Sequence, residues 1–331
     1  MSKSTPGQCC APRFESPKGC QTPSRSEEIP LETDPVTHAV SDCNCGMIRL
    51  EGGTFRMGTE DEDGWPADGE GPIREITLSP FYVDPTTVTN EEFQKFVDET
   101  GYRTEAERFG WSYVFAVLLP KSKQRKLRNS QTVQGLNWWY AIEGASWLKP
   151  EGPGSNIKKR MDHPVVHVSW HDAQAYCKWA NKRLLTEAEW EFAARGGEDQ
   201  TRYPWGNELT PKGKHRCNIW QGNFPLENTA DDGYIGTAPA RCYRPNGFGL
   251  YNVCGNVWEW CRDWFSPSWH LSGPSADPKG PETGEQRSMR GGSFLCHKSY
   301  CNRYRLGART GNTPDSSTSN CGFRCARDVA E

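Results

Sequence analysis

The chain has 331 residues, 35% hydrophobic and 24% charged, with a formal net charge of -3 and a pI near 6.2. That is enough apolar sequence for a real core in one large domain or two small ones. The nearly balanced charge gives no footprint for a nucleic-acid or membrane-surface partner, and no apolar run is long enough to span a bilayer.

Its 33 glycines and 24 prolines describe many turns and irregular backbone, and its 14 tryptophans supply the buried area that pins such a fold. Fourteen cysteines are many for a reduced cytosol and too sparse for a disulfide scaffold. The N-terminus has no apolar h-region. The expectation is therefore a cytoplasmic protein if Met1 is the native start, and a secretory compartment only if a leader was removed.

Residues 1–45 are rich in Pro, Ser and Cys and read as a flexible tail, followed by a single domain over 46–331. Cys9-Cys10 and the Cys43/Cys45 pair lie in the tail, where close cysteines are either incidental or exchange-active. From Met47, MIRLEGGTFRMG predicts a strand, a glycine turn and a second strand, and EITLSPFYVDPTTVT predicts two more. Thr89 and the acids after it cap a helix that stops at Gly101. Residues 105–160 are aromatic and poorly periodic, and the basic run Lys121–Arg128 reads as a charged loop. Val165–Val168 is a strand candidate. Ser169 and Asp172 open a helix with Ala173, Tyr176, Cys177 and Ala180 on one face. Thr186 with Glu189 forms a capping box for EAEWEFAARGG, stopped by Gly196-Gly197. Short aromatic segments between turns follow. The pattern is neither a Rossmann nor a barrel repeat.

Chemistry concentrates in Arg290–Arg305, RGGSFLCHKSYCNRYR. Cys296 and Cys301 could form a local disulfide or stay as buried thiols. Alternatively they act as a thiolate pair, their pKa values lowered by Arg290, His297, Lys298, Arg303 and Arg305 if these are close in space. Two thiolates without clustered carboxylates suit a soft ion such as Cu(I). With Cys321 and Cys325 they would instead make a zinc site of four thiolates. Oxygen-bearing side chains gather at Asn218, Asn228, Asp231 and Asp232, and again at Asn252, Asn256 and Glu259, as turn caps or Ca²⁺ ligands. His163, His167 and His171 recur every fourth residue, but Pro164 makes a strand leading into a helix the better reading than a three-histidine metal site.

The runs GGTFRMG, HPVVHVSWHDAQAYCKWANKRLLTEAEWEFAARGG, NGFGLYNVCGNVWEW, GGSFLCHKSYCNRYR and NTPDSSTSNCGFRCA resemble the formylglycine-generating enzymes, or sulfatase-modifying factors, from about Met47 to Asp328. The resemblance implies an α+β, irregular, loop-rich, C-type-lectin-related fold stabilised by calcium. It implies copper-dependent oxidation by O2 of the cysteine in a Cys-x-Pro-x-Arg segment of an unfolded sulfatase to Cα-formylglycine, with release of sulfide. An external thiol or other reductant supplies the remaining electrons.

On the same resemblance, Cys296 and Cys301 bind one Cu(I). Ser293 lies beside the substrate cysteine or oxygen, Trp258 forms a pocket wall, and His297 and Arg303 orient charge. Glu105 belongs to the groove wall. One calcium site takes Asn218, Ile219, Gly222, Asp232 and Tyr234, the other Asn252, Gly255, Val257 and Glu259. Cys177 and Cys325 match a structural disulfide of the vertebrate enzymes. Ala194 and Leu306 replace a second, and Cys43/Cys45 resemble a redox pair. Cys217, Cys242, Cys254, Cys261 and Cys321 have no assigned role, and Cys254 and Cys261 are expected to flank a helix-like stretch, too far apart to bond. A monomer is expected. The alternatives are an inactive paralogue acting as a peptide- or ligand-binding module, a zinc-stapled lectin-like binder, and a non-haem iron sulfoxide synthase, for which the tail leaves no room.

Overall fold

Four capping boxes set the principal helices. Thr89 with Glu92 opens α1 (Asn90–Thr100), and Thr104 with Glu107 opens α2 (Glu105–Phe109). Ser169 with Asp172 opens α4 (Trp170–Trp179), and Thr186 with Glu189 opens α5 (Glu187–Arg195). Each cap satisfies amide N–H groups that a helix start otherwise leaves unbonded. Glycines in the left-handed region, Gly101, Gly110 and Gly196, close three of them.

The computed structural model describes residues 46–127, 132–133 and 136–330. The tail, with Cys43 and Cys45, and Arg128 of the basic run lie outside the described residues. Strands β1 (Ile48–Leu50), β2 (Gly53–Met57), β3 (Arg74–Leu78) and β4 (Phe81–Val83) fall where the N-terminal alternation predicts them. After α2 come β5 (Trp111–Phe115), helix α3 (Lys121–Leu127), β6 (Thr132–Val133) and β7 (Leu136–Glu143). Then follow β8 (Arg183–Leu184), between α4 and α5, and the hairpin β9 (Gly222–Asn223) and β10 (Glu227–Asn228). The C-terminal strands are β11 (Trp258–Trp264), β12 (Arg287–Arg290), β13 (Arg309–Asn312), β14 (Cys321–Phe323) and β15 (Cys325–Asp328).

One four-stranded sheet runs β1-β4-β15-β8, joining the N-terminal strands to the chain's last one. The other runs β13-β12-β11-β14, with β14 parallel to β11. Sheet β5-β7-β6 stands apart over an aromatic core of Trp111, Tyr113, Phe115, Trp139 and Trp220. Phe294 and Leu295, immediately before Cys296, insert into that core. The cysteine segment is thus seated by buried apolar side chains of about 1.5–3 kcal/mol each.

Three sequence expectations are corrected. The basic run is a helix as far as Leu127 rather than a loop, because Lys, Gln, Arg and Leu all tolerate helix and Pro120 precedes it. Val165–Val168 is not a strand. His167 has φ 60°, which breaks a ladder, although Val165 N–H still bonds Val88 O at 2.9 Å. The WEW stretch is strand β11, not helix-like. Trp258, Glu259, Trp260 and Cys261 are all buried, so both faces of β11 are covered.

Candidate active site

The Cys296 loop folds back on itself. Cys296 N–H donates to Ser293 O at 2.9 Å, and Cys301 N–H to His297 O at 2.7 Å. Gly292, at φ 72°, makes this possible: a Cβ there would meet Arg303 O at 2.8 Å. The two sulfurs face each other across 3.3 Å, both fully buried and not joined as a disulfide. That separation is well beyond a disulfide of about 2.05 Å.

Of the basic residues expected around the thiols, Arg303 directs Nη1 at Cys301 Sγ from 3.8 Å. Arg303 is itself fully buried and donates through Nε to Asp68 at 2.5 Å, while Trp65 covers its guanidinium at 4.3 Å. Burial pushes the Asp68 carboxyl above its ordinary value and Arg303 pulls it back. Arg290 is instead bound to Glu191 and Arg305 to Glu70. His297 turns Nδ1 to Ser299 Oγ at 2.8 Å, and burial with neighbouring Lys298 lowers its pKa, favouring the neutral ring.

Ser293 directs its amide N–H at Cys296 Sγ from 3.4 Å, and its hydroxyl accepts from Asn320 Nδ2 at 2.9 Å. Asn320 accepts in turn from Thr318 at 2.7 Å, and its carbonyl receives the Trp258 amide at 2.9 Å. Trp258 is fully buried in the same core as both cysteines. Ser293, Trp258, Arg303 and the thiols are therefore built into one packed unit.

A model of the Sulfatase-modifying factor enzyme 1-like domain matches residues 32–329. The chain belongs to the sulfatase-modifying factor family. It is 61% identical over 287 residues to the formylglycine-generating enzyme of Thermomonospora curvata, covering 86% of this chain and 93% of that protein. It is 47% identical over 283 residues to the inactive C-alpha-formylglycine-generating enzyme 2 of Bos taurus, covering 85% and 87%. Among solved structures it resembles PvdO from Pseudomonas aeruginosa, with a TM-score of 0.62 at 25% identity over 86% of this chain and 94% of that one. The irregular mixture of helices and short strands described above is the fold of this family.

The first oxygen-rich group of this family member is brought together. Asp232 accepts from Ile219 N–H at 3.1 Å, Gln221 Nε2 at 2.9 Å and Tyr234 N–H at 3.0 Å. Asn218 Oδ1 is buried without a partner, an acceptor oxygen that suits a hard cation. Gly222 lies on β9, beyond Gln221. In the second group Glu259 accepts from Trp190 at 2.8 Å and twice from Arg324, at 2.9 and 3.0 Å. One of its four lone pairs is left for a cation. Asn252 donates to Pro239 O at 3.0 Å, and Gly255 bridges to Asn218, so the two groups abut. Val257, between them and β11, is buried. Trp220 N–H donates to Cys296 O at 3.0 Å, tying the first group's loop to the thiol loop.

Glu105 is placed against His171 at 3.2 Å and stands at the start of α2. The three histidines point to different partners: His163 to Thr237, His167 to Ser112 and Pro150 O, His171 to Glu105. The alternative zinc staple is not built. Cys325 faces Cys177 at 3.6 Å, and among the described residues no three His, Cys, Asp or Glu side chains gather to hold a metal. Cys177 and Cys325 are free thiols, as are Cys217, Cys242, Cys254, Cys261 and Cys321.

Asp68, Trp65 and Asn320 were not singled out from sequence. Asp68 and Trp65 sit in GWPADGEGP, a turn-rich run whose only signal is acids among glycines and prolines. Asn320 lies in NTPDSSTSNCGFRCA, which carried the resemblance without a role for it.

Proposed function

We propose that this chain oxidises the cysteine of a Cys-x-Pro-x-Arg segment in an unfolded sulfatase to Cα-formylglycine. The observation that carries this reading is the Cys296/Cys301 pair: two buried sulfurs, not joined as a disulfide, facing each other on one loop, with Arg303 and the Ser293 amide directed at them. The relative from Thermomonospora curvata bears the name of that activity at 61% identity. The inactive relative is less similar, at 47%.

Two facing thiols form a donor set that suits Cu(I). Cys296 and Cys301 would hold it, and when bound it would supply activation of O2 next to the substrate sulfur. The chain's own residues do the rest. Asp68 fixes Arg303 so that its cation stabilises a thiolate at Cys301. Asn320 donates to the Ser293 oxygen, leaving the hydroxyl proton free to be given toward the reacting sulfur or oxygen. Trp258 closes the apolar side and excludes water, and neutral His297 borders the loop. The overall change balances as R-CH2-SH + O2 + 2 R'SH giving R-CHO + H2S + R'S-SR' + H2O. The peptide would be read extended, through backbone contacts and side-chain pockets. Calcium is proposed as a structural ion at the Asn218/Asp232 group and at the abutting Asn252/Glu259 group.

The test is turnover of a Cys-x-Pro-x-Arg peptide in air with Cu(I) and a thiol, followed by mass spectrometry. A loss of about 18 Da per peptide as CH2SH becomes CHO, abolished in both Cys296→Ser and Cys301→Ser, supports the reading. Elemental analysis of the same samples should show copper lost in the cysteine variants with calcium retained. No product from copper-loaded protein would sink the oxidase.

A further inference from the structure

The buried arginines of the C-terminal half are matched by carboxylates: Arg290 by Glu191, Arg303 by Asp68, Arg305 by Glu70, Arg324 by Glu259. Arg216 and Lys298 break that pattern. Among the described residues neither has an ion-pair partner: Arg216 Nε is buried with no hydrogen bond, and Lys298 stands exposed beside it on the cavity wall.

Both line one cavity of about 210 Å³, together with His215, Cys217, His297 and Tyr304. No Asp or Glu lines it, and Leu209 and Ile219 add apolar wall. Asp232, outside that lining, is already engaged by Ile219, Gln221 and Tyr234. The Tyr304 hydroxyl makes no hydrogen bond among the described residues, and its ring stacks on Tyr203 at 6.2 Å. A largely apolar cavity with Arg216 in its wall, Lys298 at its exposed edge, the Tyr304 hydroxyl and no acid suits a small anion that carries an apolar stem.

Its position says what kind of anion. His297 and Lys298 directly follow Cys296 in the chain, and Trp220 on the same wall donates to Cys296 O at 3.0 Å. Tyr304 lies close enough to Cys296, Cys301 and Cys217 to feel all three sulfurs. Cys217 is no electron relay, because burial pushes its thiol far up and keeps it protonated.

We propose that this cavity binds the small anionic thiol that supplies the reaction's reducing equivalents, its carboxylate on Arg216 and Lys298 and its sulfur toward the Cys296 loop. The proposal rests on the formylglycine reading, in which O2 takes four electrons and the substrate yields only two. Two thiols joining as a disulfide release the missing two electrons, with two protons that leave in water.

The test uses the full chain and separates binding from turnover. In copper-free protein, titration with 3-(methylthio)propionate, which cannot be oxidised to a disulfide, should give saturable binding by calorimetry. Arg216→Gln and Lys298→Gln should each weaken it about tenfold, the scale of one charge-assisted contact. In turnover, KM for 3-mercaptopropionate should rise about tenfold in either variant, while in Arg216→Gln the rate with neutral 2-mercaptoethanol and KM for the peptide stay put. Equal probe affinity in wild type and variants overturns the site, as does turnover that never distinguishes the anionic from the neutral thiol. If even 2-mercaptoethanol yields no aldehyde, the oxidase reading fails and the reductant role with it, whereas intact turnover without charge discrimination fails this proposal alone.

Discussion

Cys296 and Cys301 face each other across 3.3 Å, and Cys177 and Cys325 do so across 3.6 Å; all four are sealed from solvent. The first pair lies five residues apart on one loop, and the second joins α4 to β15 across 148 residues. At the first, Arg303 and the Ser293 amide point at the sulfurs. At the second, burial and the facing Cys177 sulfur push the Cys325 thiol well up, and the surroundings are core. Distance alone does not separate a chemical pair from a structural one. The donors aimed at sulfur do, because a thiolate needs them and a neutral thiol does not.

The strongest way to break this comparison is to remove the donor. Arg303→Leu leaves Asp68 buried without its cation, and the expected cost is about 3–5 kcal/mol in chemical denaturation. The double change with Asp68→Asn should recover most of that stability. Turnover should stay low in both if Arg303 serves the thiols. Recovery of turnover along with stability would show that the pair only props the fold.

A smaller effect sharpens the same comparison through the run that holds Ser293. His167 is fully buried; the Pro150 carbonyl can only accept, so Nε2 carries a proton, and Nδ1 lies 2.8 Å from Ser112 Oγ. Its amide holds Thr318 O at 2.9 Å, two residues before Asn320. Burial lowers the imidazole pKa to about 4. The unfolded ring, near 6.5, then binds more protons than the folded one, so stability is fully present above about 6.5 and is lost as pH falls toward 4. The loss is about 3 kcal/mol over that window. Denaturant titrations at several pH values should show this slope, and His167→Gln should remove it. An unchanged slope in the variant would assign acid sensitivity elsewhere.

Local signals made α1, α4, α5 and the N-terminal strands legible. Thr89, Ser169 and Thr186 each announce a start by bonding an amide three residues on, which depends on neighbours alone. That Cys296 and Cys301 would lie side by side was legible for the same reason, since they are close in sequence. The Asp68–Arg303 contact was not, because it spans 235 residues and its acid sits in an unremarkable turn. β11 misled for a related reason. Trp258–Cys261 show no alternation, since both faces of β11 are covered, and that burial depends on elements distant in sequence. The charged loop that proved to be α3 shows the opposite limit, where propensity outweighed an uninformative charge run.

The smallest effect concerns the structural pair itself. In reduced protein, Cys177→Ala should cost about 1 kcal/mol, the transfer and cavity cost of one small buried group, and leave peptide turnover unchanged. Cys296→Ala should cost a similar amount of stability and abolish turnover. Equal stability losses with opposite catalytic outcomes would establish that the environment, rather than burial or pairing distance, distinguishes the two sites. The oxidised state supplies the counter-test. A bond between Cys177 and Cys325 would close a long loop and add about 2–4 kcal/mol that a reductant removes. If the wild type loses that much on reduction and Cys177→Ala does not, the second pair is a disulfide in air and its contrast with the first is one of bonding. If reduction changes neither, two free thiols held by the core suffice there.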